Sequence, residues 1–163
     1  MTTYSHDGIR DALTHLAAPP LLYEELQRAI ARTARVNEEV SLVRFVLAPR
    51  DSGNEGVDIP ALSSYQEVIV NFAHCLARLS RDEDLCARMG EREFICLLHG
   101  QVDAVSRYVA RIAADWEEVN TRRTGPVDRE VWRLKVASLV SVRNEKALDF
   151  LNRLDRETLV ACN

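Results

Sequence analysis

Apolar residues recur at helical spacing along several stretches of this chain and at strand spacing along others. Pro20 opens the first helical stretch, which runs to about Asn37 with Leu22, Leu26, Ala29, Ile30 and Thr33 on one face and Glu24, Glu25, Arg28 and Arg32 elsewhere. Leu42–Leu47 is a nearly continuous apolar strand, interrupted by Arg44. A second helix is predicted from about Ala61 to Ser80, where Leu62, Tyr65, Ile69, Phe72, Leu76 and Leu79 share a face. Two short apolar strands follow, Leu85–Met89 and Phe94–Leu98, around the polar turn Gly90-Glu91-Arg92-Glu93. Glycine takes positive φ without steric cost, so Gly90 suits the start of that turn. The strands carry little charge, as expected in the middle of a sheet covered on both faces. Gln101–Asn120 reads as a helix that buries Val102, Val105, Val109, Ile112, Trp116 and Val119. Trp132–Val142 alternates as a half-buried strand, and Glu145–Val160 closes the chain as a helix. Asp51–Asp58 and Thr121–Asp128 are polar or turn-rich connections. The order α-β-α-β-β-α-β-α predicts an α/β fold with a hairpin at its centre.

Composition narrows the class. A chain of 163 residues fits one domain and can bury about two-thirds of its unfolded surface. Its net charge of −4 argues against a nucleic-acid duplex as partner. No apolar run approaches a membrane span, and the N-terminus lacks the basic and apolar regions of a signal peptide. A cytoplasmic protein is the expectation. Cys75, Cys86, Cys96 and Cys162 show no CxxC spacing, and Cys86 and Cys96 fall within the hairpin strands; they read as buried free thiols. Of the 21 basic residues 19 are Arg, which reads first as a genomic base-composition bias. Functional arginines must therefore be recognised by position rather than by type.

Position singles out the hairpin. Arg81-x-x-Asp84-x-x-x-Arg88-x-Gly90-Glu91-Arg92-Glu93-Phe94 resembles the RxxDxxxRxGGDEF signature of the GGDEF (diguanylate cyclase) family. Asp11-Ala12-Leu13-Thr14-His15-Leu16 resembles the family's opening DxLTGLxNR, with His15 in place of the glycine and Ala18-Pro19 where Asn-Arg would stand. The closing helix resembles the family's but lacks its Tyr-x-Ala-Lys. The resemblance spans roughly residues 11–160. It implies a nucleotidyl-cyclase-like α/β fold, a central, mainly antiparallel sheet with flanking helices and the hairpin at 85–98. Residues 1–163 then form a single degenerate GGDEF domain, with 1–10 as an N-terminal tail.

The same resemblance shows what the chain has lost. Family members join two GTP molecules using metal ions held by an Asp at the end of the first strand and by the third residue of the GGDEF turn. Between Leu42 and Pro49 there is no carboxylate, and the turn position is Arg92, a cation where a cation should bind. Glu91 replaces a glycine that lets backbone approach the nucleotide. The family's guanine-recognising Gly-Asp maps, counted back from Asp84, onto Tyr65 and Gln66; Gln cannot offer two negative acceptors to guanine. The chain is thus expected not to be an enzyme, with no catalytic residues, no metal and no cofactor. The turn Gly90, Glu91, Arg92, Glu93 and Phe94 remains as a relic, with Arg92 and Glu93 solvent-exposed.

What persists is the family's inhibitory site for its product. There an RxxD pair before the turn binds cyclic di-GMP, helped by an Arg on the following helix. Arg81 and Asp84 stand at the first two places, and Arg111 at the third if the intervening loop is one residue short. An Arg fork donates to guanine O6 and N7, and an Asp accepts from N1–H and N2–H₂. The resemblance therefore implies a catalytically inactive receptor for cyclic di-GMP, signalling through a protein partner or a ligand-driven homodimer. The rival reading is a nucleotide-free interaction or dimerisation scaffold, in which the charged residues are solvated surface.

Overall fold

The computed structural model describes residues 4–49, 62–100, 102–123 and 132–162. The connection at 51–58 and most of that at 121–128 lie outside the described residues. Helix α1 (Pro19–Val36) opens on paired prolines, whose fixed φ suits the first turn, and closes at Asn37, left-handed at φ 55°. Strand β1 (Val40–Pro49), helix α2 (Leu62–Leu79), strands β2 (Leu85–Arg88) and β3 (Glu93–His99), helix α3 (Val102–Arg123) and strand β4 (Trp132–Val140) follow. Helix α4 (Ala147–Arg156) and strand β5 (Val160–Ala161) complete the order.

The strands form one antiparallel sheet in the order β2-β3-β1-β4-β5. Side chains alternate across it, and both faces are covered. On one side Val43, Phe45, Leu47, Phe94, Cys96, Leu98 and Leu134 pack against α2 and α3. Phe72 of α2 meets the rings of Phe45 and Phe94 edge-on, with centroids 5.5 and 5.0 Å away. On the other side Leu42, Ile95, Leu97 and Ala137 pack against Leu22 and Leu26 of α1 and Phe150 and Leu154 of α4. This two-sided burial accounts for the near-continuous apolar runs in β1 and β3.

Several expectations are corrected. The last helix does not run to Val160: Glu157 leaves it in an extended conformation, and the chain adds a strand to the free edge of β4. The Cys162 N–H donates to the Leu134 carbonyl at 2.9 Å. An edge carbonyl in need of a partner outweighs local helix preference there. Strand β2 lies at the sheet edge rather than its middle, its outer side covered by Ala17, which accepts from the Arg88 N–H and donates to the Cys86 carbonyl. Val102 is 56% exposed, and Tyr108 is buried on α3 instead. Positive φ falls not on Gly90 but on Gly100, at 149°, where β3 turns into α3.

The segment before α1 is tied to the hairpin. Asp11 is fully buried and holds the buried guanidinium of Arg88 at 3.2 Å. The Thr14 amide (2.8 Å) and hydroxyl (2.6 Å) also donate to its Oδ2. Within the stretch read as a tail, the Tyr4 hydroxyl donates to the Arg88 carbonyl at 2.6 Å, and its ring lies 5.1 Å from the Arg88 guanidinium. His15 sits at φ 59°. The resembling motif has glycine there because left-handed backbone carries no Cβ penalty for glycine.

Candidate functional site

Arg81 and Asp84 occupy the short link between α2 and β2, and Arg111 projects from α3, the helix that follows the hairpin. The structure brings all three to the rim of one cleft of about 310 Å³. Its floor is Leu79, Leu98, Tyr108 and the Gly100 backbone. The volume is at the lower end of the range for small-molecule sites, about 300–1,000 Å³.

The three residues are held differently. Asp84 is half-buried, and its carboxylate accepts from the Arg81 N–H at 3.1 Å and the His99 N–H at 3.4 Å. It therefore clips the end of β3 to the start of β2. Each carboxylate oxygen has further acceptor capacity for a ligand donor. The Arg81 side chain is 69% exposed, and among the described residues its ion-pair partner is Glu83, at a loose 3.9 Å. Arg111 is exposed. Sequence reading missed Arg107, which lines the same cleft one helical turn before Arg111. The signal was present as i, i+4 spacing, which places two α3 residues on one face. Three arginines thus surround one carboxylate.

Beneath the cleft lies a buried polar cluster. The Ser80 hydroxyl is 2.8 Å from the Tyr108 hydroxyl and 3.1 Å from Cys86 Sγ. Burial pushes the Tyr108 hydroxyl far above its ordinary range, so it stays neutral.

At the turn, the residues do not fit the metal ions that the resemblance implies. Glu93 accepts from Arg44 Nε at 2.7 Å, its neighbour diagonally across β1 and β3. The remaining carboxylate is therefore already neutralised. Arg92 lies over the Trp132 ring, 5.9 Å from its centroid. No group of three or more His, Cys, Asp or Glu that could hold a metal occurs among the described residues. Neither Arg92 nor Glu93 is fully exposed, contrary to the expectation from sequence, because each found a partner across the sheet. Arg92→Ala should cost about 0.5–1 kcal/mol, a cation–π contact near the surface. Glu93→Gln should cost about 1–2 kcal/mol, a charge-assisted hydrogen bond only partly open to water. Urea unfolding of the two variants measures both, and a larger loss for Arg92→Ala would reverse the ranking. Of the two positions that the resemblance maps onto guanine recognition, Gln66 is half-buried and engaged by a neighbour, while the side chain of Tyr65 lies outside the described residues.

No known family profile and no curated protein sequence matches the chain. Solved structures do. The GGDEF domain of DgcB from Caulobacter crescentus, solved in complex with c-di-GMP, has a TM-score of 0.75 at 21% identity, over 95% of this chain and 88% of that one. The diguanylate cyclase SiaD from Pseudomonas aeruginosa, solved with its activator SiaC, has a TM-score of 0.73 at 25% identity, over 90% of this chain and 55% of that one. The FimX GGDEF domain from Pseudomonas aeruginosa has a TM-score of 0.65 at 18% identity, over 90% and 89%. The chain has a GGDEF-like fold. No helix among the described residues is long and apolar enough to cross a membrane.

Proposed function

We propose that this chain is a non-catalytic receptor for cyclic di-GMP, which it holds between Arg81, Asp84, Arg107 and Arg111 and reports to a protein partner. The observation that carries the reading is the convergence of arginines from the α2–β2 link and from α3 on one cleft with Asp84. Two phosphates on each ligand molecule need positive charge, which a protein of net charge −4 must supply locally. The DgcB domain that shares the fold was solved with this ligand. The catalytic half of the reading rests on the Arg44–Glu93 pair and Arg92, which put cations where metal ions would act.

Calorimetric titration of the purified chain with cyclic di-GMP is the test. Saturable binding is expected, unchanged by EDTA because no metal takes part. Absence of heat at high ligand concentration would leave the fold without its proposed ligand. Incubation with GTP and Mg²⁺ should yield no cyclic di-GMP, and rebuilding the turn with Glu91→Gly and Arg92→Asp should not restore synthesis, since Arg44 still neutralises Glu93. Metal-dependent product from the unmodified chain, lost in Glu93→Gln, would overturn the inactive reading.

The rival is a nucleotide-free interaction scaffold. It is favoured by one feature: Asp84 already satisfies two backbone N–H groups, a structural task that accounts for it without a ligand.

A further inference from the structure

Cys86 and Cys96 face each other directly across β2 and β3. The hydrogen bonds of the hairpin define the type of pair. The Met89 N–H donates to the Glu93 carbonyl at 2.8 Å, closing the hairpin with a hydrogen-bonded pair. Counting back, Arg88–Phe94 is non-hydrogen-bonded, Ala87–Ile95 hydrogen-bonded and Cys86–Cys96 non-hydrogen-bonded. The outer edge agrees: the Cys86 carbonyl accepts from Ala17, away from β3. At such a pair the Cα atoms stand about 4.5 Å apart and the side chains lean together, just inside the Cα range of disulfides, about 4.4–6.8 Å. Both side chains point into the same core layer, and both thiols are free.

We propose that Cys86 and Cys96 form a redox modification site, a cross-strand thiol pair that hydrogen peroxide converts reversibly to a disulfide. The two sulfurs are not equivalent. Hydrogen bonds from the Cys96 thiol and from the Ser80 and Tyr108 hydroxyls hold the Cys86 thiol below its ordinary range. Burial pushes the Cys96 thiol well above it. Cys86 is therefore the attacking sulfur and Cys96 the resolving one. Cys86 also lies on the edge strand, its sulfur 3.6 Å from the hydroxyl of Tyr108, a residue of the cleft floor.

The reaction balances without another reagent. Cys86 thiolate attacks one peroxide oxygen; the O–O bond breaks, and the departing hydroxide takes up a proton as water. The resulting sulfenic acid is attacked by the Cys96 sulfur, the S–O bond breaks, and hydroxide leaves with the Cys96 proton as a second water. Two thiols lose two electrons and one peroxide gains them. A disulfide between adjacent antiparallel strands sits at the short end of the allowed geometry, which favours easy reduction and a reversible role. Cys75 and Cys162 are internal controls: burial pushes Cys75 up to about 12 and raises Cys162, and neither opposes another cysteine across the sheet.

The test treats the intact chain with hydrogen peroxide, denatures it, alkylates the remaining thiols and weighs the product. Before alkylation the oxidised chain should weigh about 2 Da less than the untreated one, the two hydrogens lost to a disulfide. Two alkylated cysteines should appear in place of four, with a peptide linking Cys86 to Cys96 and reversal by dithiothreitol. Cys86→Ser and Cys96→Ser should each form no such bridge. Four alkylated cysteines after oxidation, a bridge through Cys75 or Cys162, or Cys86 driven to sulfinic acid without a bridge would each overturn the proposal. The readout is a mass, so it stands whether or not the chain binds cyclic di-GMP.

Discussion

Asp11→Ala should destabilise the domain by about 3–5 kcal/mol, the usual result of removing one partner of a buried ion pair. Asp11 is fully buried and Arg88 is 4% exposed. Without Asp11, the guanidinium keeps one hydrogen bond, from Nη2 to the Glu91 carbonyl at 2.9 Å, and the nearby Tyr4 ring. Among the described residues Arg88 Nε has no hydrogen-bond partner, so little remains to offset its desolvation. The loss also reaches the fold, because Asp11 orders the Thr14 turn that leads into Ala17, and Ala17 covers the edge of β2. Replacing both partners, Asp11→Leu with Arg88→Met, should recover most of the loss by removing the stranded charge along with its mate. Urea unfolding of the three variants gives the comparison. A loss below about 1 kcal/mol for Asp11→Ala would mean that water reaches Arg88.

That ion pair shows how far the sequence could be read. Asp11 and Arg88 stand in separate motifs, and nothing in either stretch says that they meet. Contact between residues 77 apart is a property of the fold. Element order and the two covered faces of the sheet were legible, because they rest on periodicity within each segment. Strand β5 was not: Thr158, Leu159 and Val160 continue an apolar pattern that suits a helix, and only the open edge of β4 makes a strand better there. The cleft was legible in part. Arg81, Asp84 and Arg111 were placed by motif spacing, whereas Arg107 and Tyr108 required knowing which way α3 faces. Arg44 was visible as an interruption in an apolar strand. Its meaning came from the register that sets it diagonally across from Glu93.

Arg81→Ala should weaken cyclic di-GMP binding by tenfold or more while leaving stability unchanged. The side chain is 69% exposed and, among the described residues, pairs with Glu83 at a loose 3.9 Å, so the fold gains little from it. A bidentate Arg–guanine contact contributes about 1–3 kcal/mol, which sets the affinity loss. Arg81→Lys should recover little, because a point charge neither forks across O6 and N7 nor stacks on a guanine face. Arg107→Ala and Arg111→Ala should also weaken binding and flatten its salt dependence, since exposed helix arginines best serve the ligand phosphates. Asp84→Asn is a less clean variant. Its amide would turn a donor toward the Arg81 or His99 N–H, so the affinity loss should come with a drop in melting temperature. A stacked pair of ligand molecules presents guanines on two sides and could bridge two domains, which sedimentation with and without ligand would show as dimer formation. Calorimetry on the wild type and the four arginine variants at moderate salt separates the two readings of the cleft. Equal affinity for wild type, Arg81→Ala and Arg111→Ala would place the ligand elsewhere; no binding by any of them would leave Asp84 as a structural clip and the domain as a scaffold.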